Sequence, residues 1–169
     1  MRNLLIIQKN KHRTQNGFTL LIAIVVTSIL LIISFFVVNL ALKELILANT
    51  GEQSQYSFYN AEGGVECALY WDVKNPNSPT QSPIVSAFDK TLNQASISCA
   101  GSSISLVHNN ADPNKSITTF TVSFSPRGYA NVTVTKDQIA STTIISSKGY
   151  NTNVSGAIRK LERGVIMTY

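Results

Sequence analysis

Few side chains in this 169-residue chain could carry chemistry, and their spacing narrows the options quickly. The histidines are His12 and His108, and the cysteines are Cys67 and Cys99. Two histidines separated by a long apolar run, with two distant cysteines, do not make the four-ligand set of a zinc site. His108 stands at a strand end beside Asn109-Asn110 and reads as a surface histidine rather than a base. Asp112-Pro113-Asn114-Lys115-Ser116 carries oxygen side chains at alternating positions, as a calcium loop begins. It lacks the glycine and the closing glutamate of such a loop, so an ordinary turn is expected. There is no Gly-x-Ser-x-Gly, no phosphate loop and no dinucleotide fingerprint. Asn114, Asn131 and Asn153 open Asn-x-Ser/Thr triplets, which strands rich in Ser, Thr and Asn produce by chance. The reading is a non-enzyme with no catalytic residue, no metal and no cofactor. Two features remain, the acidic pair Glu62 and Glu66 one helical turn apart and the cysteine pair. What they do depends on the elements that hold them.

Composition bounds those elements. The chain is 44% hydrophobic and only 14% charged, with nine glycines, five prolines and two cysteines. That is too little glycine and proline for a collagen-like or disordered chain, and too little cysteine for a disulfide scaffold. The length allows one domain with an appendage. The net charge of +5 is unevenly placed, because Arg2, Lys9, Lys11 and Arg13 lie in residues 1–17, where there is no acid. The remainder is near neutral, with no basic stripe to argue for a nucleic-acid partner.

Phe18 to Leu42 runs for 25 residues without a charge. A helix of that length crosses the roughly 30 Å hydrocarbon core of a bilayer. Thr19, Thr27, Ser28, Ser34 and Asn39 are its polar members, and such hydroxyls can bond back to the helix. The basic residues before it keep the N-terminal side in the cytoplasm and place the chain after Leu42 outside. A secretory signal would have an apolar region of about 7–15 residues followed by a small-residue cleavage site. Here the run is longer, and the small residue, Gly17, precedes it.

A basic leader, Gly17, then Phe18-Thr19-Leu20 and a long apolar helix resembles the class III leader of type IV pilins and pseudopilins. The resemblance implies cleavage by a prepilin peptidase between Gly17 and Phe18, and methylation of the new N-terminal phenylalanine. The alternative is an uncleaved signal anchor. Major pilins of this family carry glutamate at the fifth position after the cut, where it is thought to pair with a neighbouring subunit's terminal amine. Here that position is Ile22. A buried carboxylate is costly unless paired, and a subunit with nothing above it has no amine to neutralise. An apolar residue there is a mark of the K-type minor pseudopilins that cap the tip in type II secretion; the alternative is drift in a non-assembling relative.

The stretch 43–72 contains no proline and carries apolar or small residues at Leu45, Ala48, Tyr56, Tyr59, Gly63, Cys67 and Tyr70. Those spacings predict that the helix continues to Asp72 with a stripe along one face. Gly51, Gly63 and Gly64 each weaken a helix by roughly 1 kcal/mol relative to alanine, and mark soft points or close crossings by a strand. Ala61-Glu62-Gly63-Gly64-Val65-Glu66 resembles the A-E-A-G-hydrophobic-E motif near the end of the first helix in K-type pseudopilins and X-type minor pilins, with Gly63 where alanine is usual. Its expected role is structural, with small residues admitting the sheet; the alternative is that Glu62 and Glu66 pair with a neighbouring subunit. The resemblance covers the leader and first helix only, since the K-type family's extra α domain has no room here.

After Asp72 the composition changes. Lys74–Pro83 holds three prolines and is a loop, and Ile84–Leu92 is expected as a short helix. Strands are predicted at Ala95–Cys99, Ser103–His108, Ser116–Ser125, Ala130–Lys136, Ser141–Ser147 and Ala157–Tyr169, with Phe120, Val122 and Phe124 on one buried face. Cys67 and Cys99 lie on the outer side, where a disulfide is permitted, and a bridge would tie the helix end to the first strand. Two buried thiols are the alternative.

The expected organisation is therefore a cleaved leader over 1–17, a spine helix over 18–72 whose 18–42 part spans the membrane, and a β-rich head over 73–169. The fold class is α+β, pilin-like, with an antiparallel sheet packed on the helix. The function implied is a minor pilin or pseudopilin in a type IV pilus or a type II secretion-like filament. It would sit at the tip, held in the cytoplasmic membrane with the head outside before assembly. The implied partners are other subunits through the apolar helix, prepilin peptidase and the inner-membrane assembly platform. The alternatives are a tip adhesin or DNA-uptake subunit using the loops Lys74–Pro83 and Asn109–Lys115, and a plain signal-anchored surface protein.

Overall fold

A computed structural model describes residues 16–80 and 82–169. The expected leader thus lies outside the described residues as far as residue 15, and Gln81 of the proline-rich loop lies outside them too. Asn16–Val73 form a single α-helix, α1. The chain divides into two compact units, one ending at Ala48 and the other spanning Asn49–Tyr169.

In the first unit every side chain from Phe18 to Ala48 is exposed, although the part to Leu42 is apolar on all sides. It is long and apolar enough to cross a membrane. Its hydroxyls turn back on the helix: Thr27 donates to Ala23 O at 2.9 Å, Ser28 to Val25 O at 2.8 Å and Ser34 to Leu30 O at 2.8 Å. No hydroxyl of these three therefore needs water, which suits an apolar surrounding.

The second unit packs the remainder of α1 on antiparallel strands, so the fold is α+β. The strands are β1 (Ser96–Cys99), β2 (Ser102–Ser105), β3 (Val107–Asn109), β4 (Lys115–Ser123), β5 (Tyr129–Asp137), β6 (Thr142–Tyr150) and β7 (Glu162–Thr168). β1 and β2 form a hairpin, and β3-β4-β5-β6-β7 form a five-stranded meander. Period-two patterning sets the buried face: Thr118, Phe120 and Val122 of β4, Val132 and Val134 of β5, and Ile145 of β6 are all buried beneath α1. The β1–β2 turn is Ala100-Gly101 with φ of 51° and 74°, the left-handed pair that a two-residue hairpin requires.

The helix meets the sheet along Ser57, Asn60, Ala61, Gly64, Val65, Ala68 and Trp71, all buried and spaced by three, one and three. This corrects the stripe expected from the sequence. Tyr59 and Tyr70 are 64% and 53% exposed and lie on the opposite face, and Tyr56, 36% exposed, sits at the edge beside Arg127. The reason is distance, because around Ser57, Ala61 and Gly64 the sheet comes so close that only small side chains fit under it. A Cβ on Gly64 would meet Ser147 Oγ, and would lie 2.9 Å from Val132 Cγ2 and 3.1 Å from Ala130 Cβ. From the other side, a Cβ on Gly149 would strike the helix backbone at Ser57 O and Ala61 N.

Three further expectations need correction. Ile84–Leu92 is not a helix but a series of turns, because Ser86 and Asp89 take the backbone N–H groups of Phe88 and Thr91 with their own side-chain oxygens. The run Ser103–His108 is not one strand. It breaks at Leu106, whose N–H donates to Ala95 O, and its two halves join different sheets. The last strand begins at Glu162 rather than Ala157, and Ile158 before it is fully exposed.

Candidate functional site

The helix-end motif sits where α1 carries the sheet. Ala61, Gly64 and Val65 are buried, Gly63 is half-buried, and Glu62 and Glu66 point outward. A Cβ on Gly63 would touch only the ring of Phe124, at 3.0 Å. The small residues of the motif therefore admit the sheet, while the acidic pair belongs to an exposed stripe. Residues Glu52, Gln55, Tyr59, Glu62, Glu66 and Tyr70 follow one another at three- and four-residue steps along that outer face. Among the described residues no ion pair reaches Glu62 or Glu66.

Polar side chains on the buried helix face fasten loops to it. Asn60 Nδ2 donates to Tyr150 O at 2.8 Å and Arg127 O at 3.2 Å, holding the β4–β5 turn. Ser57 Oγ lies 3.1 Å from both Gln53 O and Leu161 O. Asn151 Nδ2 donates to Gln53 Oε1 at 2.8 Å and to Arg159 O at 2.9 Å, while its Oδ1 accepts the N–H of Leu161. These bonds satisfy groups that burial would otherwise leave costly.

At the other end of this helix segment, Asp72 gathers three parts of the unit. Its Oδ1 accepts from Lys136 Nζ at 2.7 Å and from Ser86 Oγ, and its Oδ2 accepts from Tyr169 Oη at 2.6 Å. The Asp72 side chain is 5% exposed. A carboxylate at a helix C-terminus faces the negative end of the helix dipole, so the Lys136 ammonium is what makes the position tolerable. Burial first, and the bond to Asp72 second, hold the Tyr169 hydroxyl well above the usual tyrosine range. Ser86 Oγ also accepts the Phe88 N–H, so this cluster joins segments and leaves no free nucleophile.

Cys67 and Cys99 form a disulfide with a Cα separation of 6.1 Å, linking α1 to β1. Beside it, Trp71 Nε1 donates to Ser98 O at 3.0 Å. His108 is not a free surface histidine, which corrects the sequence reading. Its Nε2 lies 2.7 Å from Gln94 O and its Nδ1 2.9 Å from Thr118 Oγ1. A carbonyl can only accept, so Nε2 carries the proton, and in the neutral ring Nδ1 accepts from Thr118. The Asp112 loop is an Asx turn in which Oδ1 takes the Asn114 N–H at 2.9 Å.

On the outer sheet face the rings of Tyr129 and Tyr150 stack at 4.6 Å, with Lys160 Nζ 4.5 Å from the centroid of Tyr150. Tyr150 Oη donates to Glu162 Oε2 at 2.7 Å, and Lys148 Nζ sits 3.2 Å from Glu162 Oε1. The bond to Glu162, helped by burial, pushes the Tyr150 hydroxyl up to about 12, and the same bond, with that from Lys148, holds the Glu162 carboxyl below its ordinary value. This cluster had no signal in the sequence, since its members come from three strands and a loop and only the register brings them together.

Gly17, Phe18 and Ile22 belong to the first unit, and the motif and the disulfide belong to the second. Comparison of the chain with protein-family models, curated proteins and solved structures gives no match.

Proposed function

We propose that this chain is a minor pilin or pseudopilin, a non-catalytic subunit of a bacterial type IV pilus or type II secretion-like filament, located at the tip and acting in filament initiation or assembly. The observation that carries the reading is the helix from Phe18 to Leu42, without a charge around its whole circumference and with every side chain exposed. Such a surface needs lipid or other apolar helices around it. A pilin-type subunit uses both, lipid before assembly and neighbouring subunits' helices afterwards. The Gly17-Phe18 junction behind a basic leader supports processing by prepilin peptidase, and Ile22 in place of the usual glutamate supports the tip position. The α+β head, with strands on the later half of the same helix, is compatible with pilin-like architecture. The outer stripe of Tyr59, Glu62 and Glu66 is the face that such a subunit would offer to its neighbours and to the inner-membrane assembly platform. Before assembly the chain would sit in the cytoplasmic membrane with the head outside.

The test is the mass of the mature N-terminal peptide from the native host. A chain beginning at N-methylated Phe18 supports the reading. A chain that keeps residues 1–17 overturns it and leaves a signal-anchored surface protein.

A further inference from the structure

Asn151 closes the base of a loop. Its Oδ1 takes the Leu161 N–H, and its Nδ2 holds Arg159 O and, on α1, Gln53 Oε1. Ser57 Oγ, 3.1 Å from Leu161 O, adds a second tie to the helix. The far side of the segment 152–160 is thereby fixed beside the start of the second unit, where Ile158–Leu161 share a pocket of about 210 Å³ with Asn49, Thr50 and Gln53. The rest of the loop is not packed. Gly156 turns it with a φ of 79°, and on either side Val154 and Ile158 are 64% and 102% exposed.

Positive charge gathers at the same place. Residues 138–161 hold no acid. Arg159, Lys160 and Arg163 are exposed, and among the described residues none of them is in an ion pair. Lys160 Nζ donates to Tyr129 Oη at 2.8 Å and Arg163 Nε to Ser54 Oγ at 2.8 Å. These partners are neutral, so they position the cations without cancelling them. Glu162 is taken up by Lys148 and Tyr150, and Glu52 lies on the outer helix face with Gln55 and Tyr59. Covalent reach then selects the occupant. Leu42 ends the charge-free run, and Asn49 comes seven residues later. Fully extended, seven residues span about 25 Å. With Phe18–Leu42 in a bilayer, a loop held beside Asn49 cannot leave the neighbourhood of the bilayer surface.

We propose that the loop 152–160 docks on the surface of the membrane that anchors the chain, with Arg159, Lys160 and Arg163 on anionic phospholipid headgroups and Val154 and Ile158 entering among them. Basic side chains beside an aliphatic tip give the two contributions of such a contact, attraction to lipid phosphates and removal of apolar surface from water. The tether supplies the third, since it keeps the lipid at a high effective concentration. The inference rests on the reading of Phe18–Leu42 as a membrane span.

The test uses the full chain in vesicles of phosphatidylcholine, alone or mixed with phosphatidylglycerol. A nitroxide is attached at Ile158→Cys, with Ile33→Cys in the apolar run and Ile139→Cys in the exposed β5–β6 turn as references. The native cysteines are joined to each other and take no label. We expect the label at 33 to be shielded from a water-soluble nickel complex and the label at 139 to be open to it in both vesicles. The label at 158 should become shielded when phosphatidylglycerol is present. Arg159→Gln and Lys160→Gln should each lower the docked-to-undocked ratio by about fivefold, Arg159→Lys should not, and added salt should act as the neutral variants do. A label at 158 open to nickel in both vesicles, with the label at 33 shielded, would overturn the proposal and leave the anchor standing. A label at 33 open to nickel would overturn the anchor and the proposal together. Shielding at 158 that ignores phosphatidylglycerol and grows with the amount of protein per vesicle would mean that a second copy covers the loop, and would overturn the proposal as well.

Discussion

Tyr169 Oη donates to Asp72 Oδ2 at 2.6 Å, tying the chain beyond β7 to the last turn of α1 across 97 residues of sequence. Asp72 is also the point at which Lys136 and Ser86 meet the helix, so one carboxylate joins helix, sheet and loop.

Removing the cation from that junction should cost more than removing the hydroxyl. Lys136→Met leaves a buried carboxylate at a helix C-terminus without its charge partner, and should destabilise the chain by about 3 kcal/mol. Tyr169→Phe removes one charge-assisted bond and should cost about 1.5 kcal/mol. Urea unfolding in detergent, with the double variant, measures both; equal losses would mean that Lys136 does not hold Asp72.

Three helix glycines should respond with different signs to alanine. Gly51 has nothing within 4 Å of its Cβ direction, so Gly51→Ala should stabilise by about 1 kcal/mol through helix propensity alone. At Gly63 the same gain is offset by a Phe124 ring that must shift, and the change should be near zero. At Gly64 the methyl meets Ser147, Val132 and Ala130 together, and overpacking should outweigh propensity by about 1–2 kcal/mol. Thermal unfolding of the three variants gives the order.

The disulfide closes a loop with a sequence separation of 32. In the chain-entropy model such a closure contributes about 3–4 kcal/mol. Cys67→Ser with Cys99→Ser, or the reduced chain, should lose that much, seen as a lower urea midpoint. An unchanged midpoint would show that the hairpin is held without the bridge.

Two of the six tyrosines should ionise late. Tyr150 has its hydroxyl pushed up to about 12 and Tyr169 is raised as well, against an ordinary value near 10. A raised folded value means that the stabilisation is complete below pH 10 and is lost as pH climbs from there through the folded value. An ultraviolet titration of tyrosinate should show the Tyr150 and Tyr169 groups as a late-ionising component. Tyr150→Phe should remove one late group and leave the rest.

The strands were legible where the two faces differ in chemistry. Phe120 and Val122 alternate with Thr119 and Thr121, and β4 buries that alternation. The helix packing face was not legible, because Ser57, Asn60 and Gly64 look like surface residues and Tyr56 and Tyr59 look like core. Close approach of two backbones selects small residues and reverses the usual sign. The break at Leu106 was hidden because Ile104 and Leu106 keep a period of two up to it, and a change of partner strand leaves no mark in the sequence. His108 was misread since Thr118, which orders its ring, is opposite it in register and invisible in spacing.

Trp71 is the chain's one tryptophan, one helical turn after Cys67 and bonded to the strand that carries Cys99. All intrinsic indole fluorescence therefore originates at the seam between α1 and the β1–β2 hairpin. Its colour and intensity give a label-free gauge of that seam, reading the opening of the hairpin separately from the melting of the meander, which carries no indole.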